Sequence, residues 1–79
     1  MATIIEKDSL INLISYAESI IILRVEPSDE RDEIASFLNK QKRWMYSVSP
    51  EEIDIEAEAP KIQEIIEKYK DYPLLPNFQ

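Results

Sequence analysis

The segment from Leu10 to Val25, LINLISYAESIIILRV, is the most apolar stretch of the chain and decides the predicted fold. Wound as an α-helix, it turns by about 100° per residue and places most of its apolar side chains on one broad stripe. This stripe consists of Leu10, Leu13, Ile14, Ala17, Ile20, Ile21 and Val25, and it is flanked by Ile11, Tyr16, Ile22 and Leu23. A helix that is apolar nearly all round must be buried nearly all round.

Only a short chain is available to cover this helix. The protein has 79 residues, a size at which one core supplies a few kcal/mol of net stability and a second chain often contributes. Hydrophobic residues make up 44% of the chain, which is enough for a folded core. We therefore expect a single domain, residues 1–79, that wraps the helix and leaves Ile11 and Ile22 to face a second chain.

Capping residues and a proline set the ends of the first helix. Asp8 or Ser9 is a suitable N-cap because its short side-chain oxygen can accept from a free backbone N–H of the first turn. Pro27 ends the helix, since the residue before a proline avoids the helical region. The sequence therefore predicts a first helix at about 9–25 and leaves residues 3–6 unassigned.

A second helix is predicted at about 28–47, with Ser28 as its N-cap, acids in its first turns and bases towards its end, an order that complements the helix dipole. Its apolar stripe consists of Ile34, Phe37, Leu38, Trp44, Met45 and Val48. Gln41 interrupts the stripe, and we expect it at the edge, reaching water; the alternative is a device that fixes register or oligomeric state. Trp44 is predicted to anchor the core, the alternative being an exposed interface residue.

A third helix is predicted at about 50–70. Ser49, Pro50 and Glu52 form its start, because serine caps, proline suits the first helical position and glutamate can close a capping box. The inward stripe consists of Ile55, Ala59, Ile62, Ile66 and Tyr69, with Ile65 beside it. Pro60 is expected to kink the helix or to split it in two.

The segment 52–59 also permits a different interpretation, because it alternates between charged and apolar residues with the period of a half-buried strand. In that alternative, 19–26 and 52–59 are strands of a small α/β domain. We favour helix, since Glu and Ala are good helix formers and poor strand formers. The chain also has no glycine for tight hairpins.

The last residues, 69–79, read YKDYPLLPNFQ, in which Pro73 and Pro76 favour an extended path. This tail is unusually apolar for a terminus, with Tyr72, Leu74, Leu75 and Phe78. We expect these side chains to pack on the chain's own helices; the alternative is a groove of a neighbouring molecule. The predicted fold is thus an all-α, small three-helix bundle with an extended apolar C-terminal tail.

The residue types that are missing argue against an enzyme. The chain has no histidine, cysteine or glycine. The common general bases, covalent nucleophiles and zinc ligands are therefore absent, and neither a phosphate-binding glycine loop nor a dinucleotide-binding turn can be written. We expect no catalytic residues, no cofactor and no metal site.

Carboxylates are the remaining chemically versatile groups, and they are densest at Glu51, Glu52, Asp54, Glu56 and Glu58. These acids lack a calcium-loop pattern, which needs a central glycine and a bidentate glutamate at a set spacing. The ordinary interpretation is a solvated helix face. The functional interpretation is an acidic face that binds a partner.

The net charge of −7 argues against direct binding of nucleic acid or of an anionic membrane, since both need a basic surface. Glu18 and Arg24 interrupt the apolar run, so that a membrane-spanning helix is not expected either. The first residues carry charges and no cleavage site follows the apolar run, which is unlike a signal peptide. We expect a soluble, cytoplasmic protein.

Three functional hypotheses follow. The first is a small acidic non-enzymatic protein that binds and inhibits or modulates a protein partner with a basic surface, as inhibitor, immunity and anti-defence factors do, and we expect it to act as a homo-oligomer. The second is a self-assembling helical homo-oligomer with a ligand pocket between subunits, and the third is an acidic mimic of nucleic acid. The predicted apolar interface residues are Ile11, Ile22, Trp44, Tyr72, Leu74, Leu75 and Phe78, and the predicted acidic face is residues 51–58.

Overall fold

The fold was analysed in a computed structural model, which describes residues 2–76. The chain forms three α-helices and one short 3₁₀ helix: α1 (Ile4–Arg24), α2 (Asp29–Ser47), the 3₁₀ helix (Pro50–Glu52) and α3 (Ile55–Tyr69). Residues 2–76 contain no strand. The predicted all-α bundle is confirmed, and the α/β alternative with strands at 19–26 and 52–59 is wrong.

Helix α1 begins five residues earlier than the sequence predicted. Its N-cap is Thr3, whose hydroxyl accepts from the backbone N–H of Glu6 at 3.1 Å, while the Glu6 carboxylate accepts from the backbone N–H of Thr3 at 2.9 Å. The prediction of an N-cap at Asp8 or Ser9 is therefore wrong. This reciprocal capping box satisfies two backbone donors at once, so it outcompetes a single later cap.

Helix α2 begins as predicted, because the hydroxyl of Ser28 accepts from the backbone N–H of Arg31 at 3.1 Å. Two contacts tie it to α1. The Lys7 ammonium donates to the carbonyl of Val48 at 2.7 Å, and Lys42 forms an ion pair with Glu18 at 3.1 Å. Lys7, near the start of α1, contacts the end of α2, and Glu18, later in α1, contacts an earlier residue of α2, so these helices are antiparallel.

The predicted third helix is divided, and the division lies at Ile53 and Asp54 rather than at Pro60. Asp54 caps α3, since its carboxylate accepts from the backbone N–H of Ala57 at 3.3 Å. The break turns Ile53 into the core, where it is 1% exposed. Helix α3 runs unbroken through Pro60. Proline removes one hydrogen bond to the carbonyl of Glu56, but both residues are exposed and water can serve that carbonyl.

Helix α1 lies at the centre of the domain and packs against both α2 and α3, which form no comparable interface with each other. Short connections and the α1–α2 contacts give an up-down-up order, in which α1 and α3 are parallel. The buried core consists of Ala2, Leu10, Ile11, Ile14, Ala17, Ile20, Ile21, Val25, Leu38, Met45, Ile53, Ile62, Ile66 and Tyr69. The sequence predicted most of these, because they follow the helical stripes.

Ile11 and Trp44 differ from their predictions. We expected Ile11 to stay uncovered, but it is only 8% exposed. It lies one turn after Lys7 and two turns before Glu18, whose side chains form polar contacts with Val48 and Lys42, so it lies on the side of α1 that faces α2. Trp44, expected to anchor the core, is 39% exposed. Leu38 and Met45 occupy the centre of the apolar stripe of α2, which faces α1, and both are fully buried. Trp44 lies at the edge of this stripe and is therefore only partly covered.

We expected the side chain of Gln41 to reach water, but Gln41 is half-buried and its carboxamide oxygen does not. The oxygen is enclosed and has no hydrogen-bond partner among the described residues. An enclosed polar atom without a partner lowers stability, because its desolvation is not compensated. Gln41 is therefore a point of weakness in the packing of α2.

The tail returns to the end of α1 as far as Pro76. The backbone N–H of Leu75 donates to the carbonyl of Leu23 at 2.9 Å, and the Arg24 guanidinium donates to the carbonyl of Tyr72 at 2.6 Å. The first bond satisfies a carbonyl that the end of α1 leaves without a helical partner. Leu75 is half-buried, in keeping with packing on the chain's own helices. Phe78 lies outside the described residues.

A cluster of Glu30, Lys68 and Tyr69 links the first turn of α2 to the last turn of α3. The Tyr69 hydroxyl donates to the Glu30 carboxylate at 2.8 Å, and the Lys68 ammonium lies 3.6 Å from that carboxylate and 5.1 Å from the centre of the Tyr69 ring. The hydrogen bond from Tyr69 and the charge of Lys68 hold the pKa of Glu30 below its ordinary value. Burial and the bond to Glu30 raise the pKa of Tyr69.

This cluster predicts a pH-dependent stability. A group with a lowered folded-state pKa stabilises the fold above its unfolded pKa, and the contribution is lost as pH falls through the folded pKa. In Glu30→Gln the amide oxygen can still accept from Tyr69, but the charge is gone. We expect wild type to be more stable than Glu30→Gln near neutral pH, and the gap to shrink as pH falls below about 4.5, as measured by urea unfolding.

The matched control is Asp32→Asn, which removes an exposed acid from the same first turn of α2. Among residues 2–76, Asp32 has no ion pair, so this variant reports only the interaction with the helix dipole. Identical pH profiles for the two variants would contradict the role of the Glu30 cluster.

Candidate functional site

The structure disperses the five acids that the sequence grouped into one face. Glu51 and Glu52 lie on the 3₁₀ helix, Asp54 caps α3, and Glu56 and Glu58 lie in its first turns. Because the break at residues 53–54 interrupts the helical periodicity, these side chains do not share one face. Across residues 2–76, no three or more carboxylates lie close enough together to hold a metal ion.

Three of these acids have local structural roles. Glu52 accepts from the backbone N–H of Ser49 at 3.3 Å, and Asp54 caps α3. Glu58 is paired with Lys61 at 3.5 Å, and its side chain is only 18% exposed. The carboxylates of Glu51 and Glu56 are exposed and have neither a hydrogen bond nor an ion pair within the described part of the chain. They are therefore the members of the set that remain available to a partner.

An apolar groove lies between α1 and α3, beside the first turns of both helices. It has a volume of about 260 Å³ and is lined by Glu6, Ser9, Leu10, Leu13, Ile55 and Ala59. Ile55 and Ala59 belong to the segment whose charged and apolar residues alternate. Two apolar members of that pattern thus line the groove, while Glu56, between them in the chain, stays exposed.

A larger groove lies between α1 and α2. Its volume is about 480 Å³, and it is lined by Ser15, Glu18, Ser19, Ile21, Ile22, Ala35, Asn39 and Lys42. The ion pair between Glu18 and Lys42 lies within this lining. Ile22, which the sequence predicted to face a second chain, is 46% exposed here.

The predicted apolar interface residues do not form one surface. Tyr72 and Leu74 are exposed and line a notch of about 430 Å³ between the tail and the α1–α2 connection. Trp44 lies on α2 and Ile22 on α1, away from that notch. Of the remaining predictions, Ile11 is buried, Leu75 is half-buried and Phe78 lies outside the described residues.

Sequence reasoning missed four exposed apolar residues, Ile4, Ile5, Tyr16 and Tyr46. Ile5 is the most exposed of them, at 76%. It lies one turn before Ser9 and two turns before Leu13, on the side of α1 that borders the α1–α3 groove. The signal that could have found it is the Thr3–Glu6 capping box, which brings Ile4 and Ile5 into the helix.

A charge pair marks the far end of the α1–α3 side. Lys70 donates to Glu67 at 3.1 Å, and this bond holds the pKa of the Lys70 ammonium above its ordinary value. Tyr16 is exposed and lies one turn after Leu13, which lines the α1–α3 groove.

Comparison of the chain with protein-family models, with curated proteins and with solved structures finds no match in any of the three. None of the helices within residues 2–76 combines the length and the hydropathy that a membrane crossing requires.

Proposed function

We propose that this chain is a small acidic non-enzymatic protein that binds a protein partner with a basic surface and thereby inhibits or modulates it. The observation that carries the proposal is that Glu51 and Glu56, exposed and unpaired within residues 2–76, lie in the segment that leads into α3, the helix that lines the apolar α1–α3 groove through Ile55 and Ala59. Apolar area supplies affinity and complementary charge supplies orientation and rate of association.

The overall charge supports the same proposal. A net charge of −7 on 79 residues produces a negative potential that attracts basic surfaces and repels other acidic ones. Several acids are already engaged in caps or ion pairs, whereas Glu51 and Glu56 are exposed and unpaired within residues 2–76 and can meet a basic surface.

A double variant tests the acidic contribution. Glu51→Gln combined with Glu56→Gln removes two exposed, unpaired charges in the segment that leads into α3, and we expect recovery of the partner from source cells to fall several-fold. The matched control is Glu33→Gln combined with Glu64→Gln, which removes two exposed charges elsewhere on α2 and α3. Recovery is measured by quantitative mass spectrometry at low and at raised salt, because charge-dominated contacts weaken with ionic strength. Equal recovery with both double variants would contradict the proposed role of Glu51 and Glu56.

A second candidate is a homo-oligomer with a pocket between its subunits, and the exposure of Ile22 favours it. Ile22 stands beside the small side chains of Ser15, Ser19 and Ala35 in the α1–α2 groove, where a second helix could approach closely. Burial of an exposed isoleucine contributes up to about 2 kcal/mol, which helps offset the repulsion between two acidic chains.

Light scattering coupled to size-exclusion chromatography tests this second candidate. We expect the wild-type mass to exceed the 9.3 kDa of one chain at raised concentration and salt, and Ile22→Asp to restore the single-chain mass. Asn12→Asp is the control, because it adds the same charge at an exposed position of α1. A wild-type mass that stays at 9.3 kDa throughout would rule out the oligomer.

A further inference from the structure

We infer that the α1–α3 groove is a docking site for a basic amphipathic helix, whose apolar side chain enters the groove while its lysines or arginines meet the carboxylates beside it. This inference rests on the proposed function and names the class of partner that the groove accepts. Recognition of this kind needs a groove with apolar lining and anchors at helical spacing.

Exposed apolar side chains of α1 lie near both ends of the groove. Leu13 lies in the groove, Ile5 precedes it by two turns on the same side of α1, and Tyr16 follows by one turn. Ile5 and Tyr16 are both exposed. From Ile5 to Tyr16 the helix rises about 17 Å at 1.5 Å per residue, which matches about three turns of a partner helix. By helical spacing, these two exposed apolar side chains flank the groove, one towards each of its ends.

The charge around the groove is negative at one end. Glu6 belongs to the lining, and its carboxylate accepts from the backbone N–H of Thr3. Glu56 is exposed and lies one turn before Ala59, on the neighbouring surface of α3. At the other end, Lys70 is paired with Glu67. The partner's basic residues should therefore lie near the first turns of α1 and α3.

Charge also selects among the possible occupants. A second copy of this chain carries its own net charge of −7 and would bring acids against Glu6 and Glu56. An anionic lipid surface is repelled for the same reason. The larger α1–α2 groove is a poorer site for an apolar anchor, since Ser15, Ser19 and Asn39 line it and the Glu18–Lys42 pair lies within it.

Two synthetic peptides and two variants test the inference. The first peptide is an amphipathic helix of leucine and lysine, about 18 residues long so that it can fold, and the second is oligolysine of equal length. Ala59→Phe fills the α1–α3 groove, and Ala35→Phe places the same side chain in the α1–α2 groove as the matched control. Circular dichroism first establishes that both variants are folded, and affinity is then measured by calorimetry at low salt.

We expect the leucine–lysine peptide to bind wild type and Ala35→Phe with equal affinity and Ala59→Phe at least about tenfold more weakly. The NMR signals of the backbone amides of Leu13, Ile55 and Ala59 should shift when the leucine–lysine peptide binds. Oligolysine should bind more weakly than the amphipathic peptide, because it brings charge without an anchor.

The other outcomes overturn the inference in distinguishable ways. Three results would show that the α1–α3 groove is not the docking site but would leave the proposal of a basic partner intact. They are equal loss of affinity in both variants, NMR shifts centred on Ile22, and oligolysine binding as tight as that of the amphipathic peptide. Failure of both peptides to bind would contradict the proposed function as well. A mass above one chain that only Ala59→Phe reduces would assign the groove to a second copy.

Discussion

The architecture of this protein follows from the need to cover α1. This helix is apolar nearly all round and is too long to be enclosed by any single element of a 79-residue chain. Helix α2 covers the side of Ile11, α3 covers the opposite side, and the tail satisfies the carbonyl of Leu23 at its end. Capping boxes, ion pairs and the Glu30 cluster then hold these covering elements in place.

The same constraint explains where a function can reside. Because α2 and α3 each pack on α1 but form no comparable interface with each other, the cover has grooves along its edges. The α1–α3 groove has a mostly apolar lining, and exposed acids such as Glu56 lie on the same helix as Ile55 and Ala59. The proposed binding of a protein partner rests on this combination of apolar area and charge.

Local signals made much of the fold predictable, and tertiary packing decided the rest. Ser28 and the stripes of the three helices were sufficient for the helix content and most of the core. The start of α1 was not predicted because Asp8 and Ser9 are also good N-cap residues. The break before α3 was not predicted because burial of Ile53 in the core outweighs the continuity of the helix. The acids of residues 51–58 were identified from the sequence, but their dispersal over two helices was not. The α1–α3 groove could not be predicted, because it combines residues of two helices whose relative placement no local sequence pattern encodes.

The central claim, that α1 is the core around which the other elements fold, is tested most directly by native-state hydrogen exchange of individual backbone amides. The account predicts that Ile14, Ala17 and Ile21 exchange only through global unfolding and are the most protected amides of the protein. Faster exchange at these three positions than at Leu38 and Met45 of α2 would contradict it.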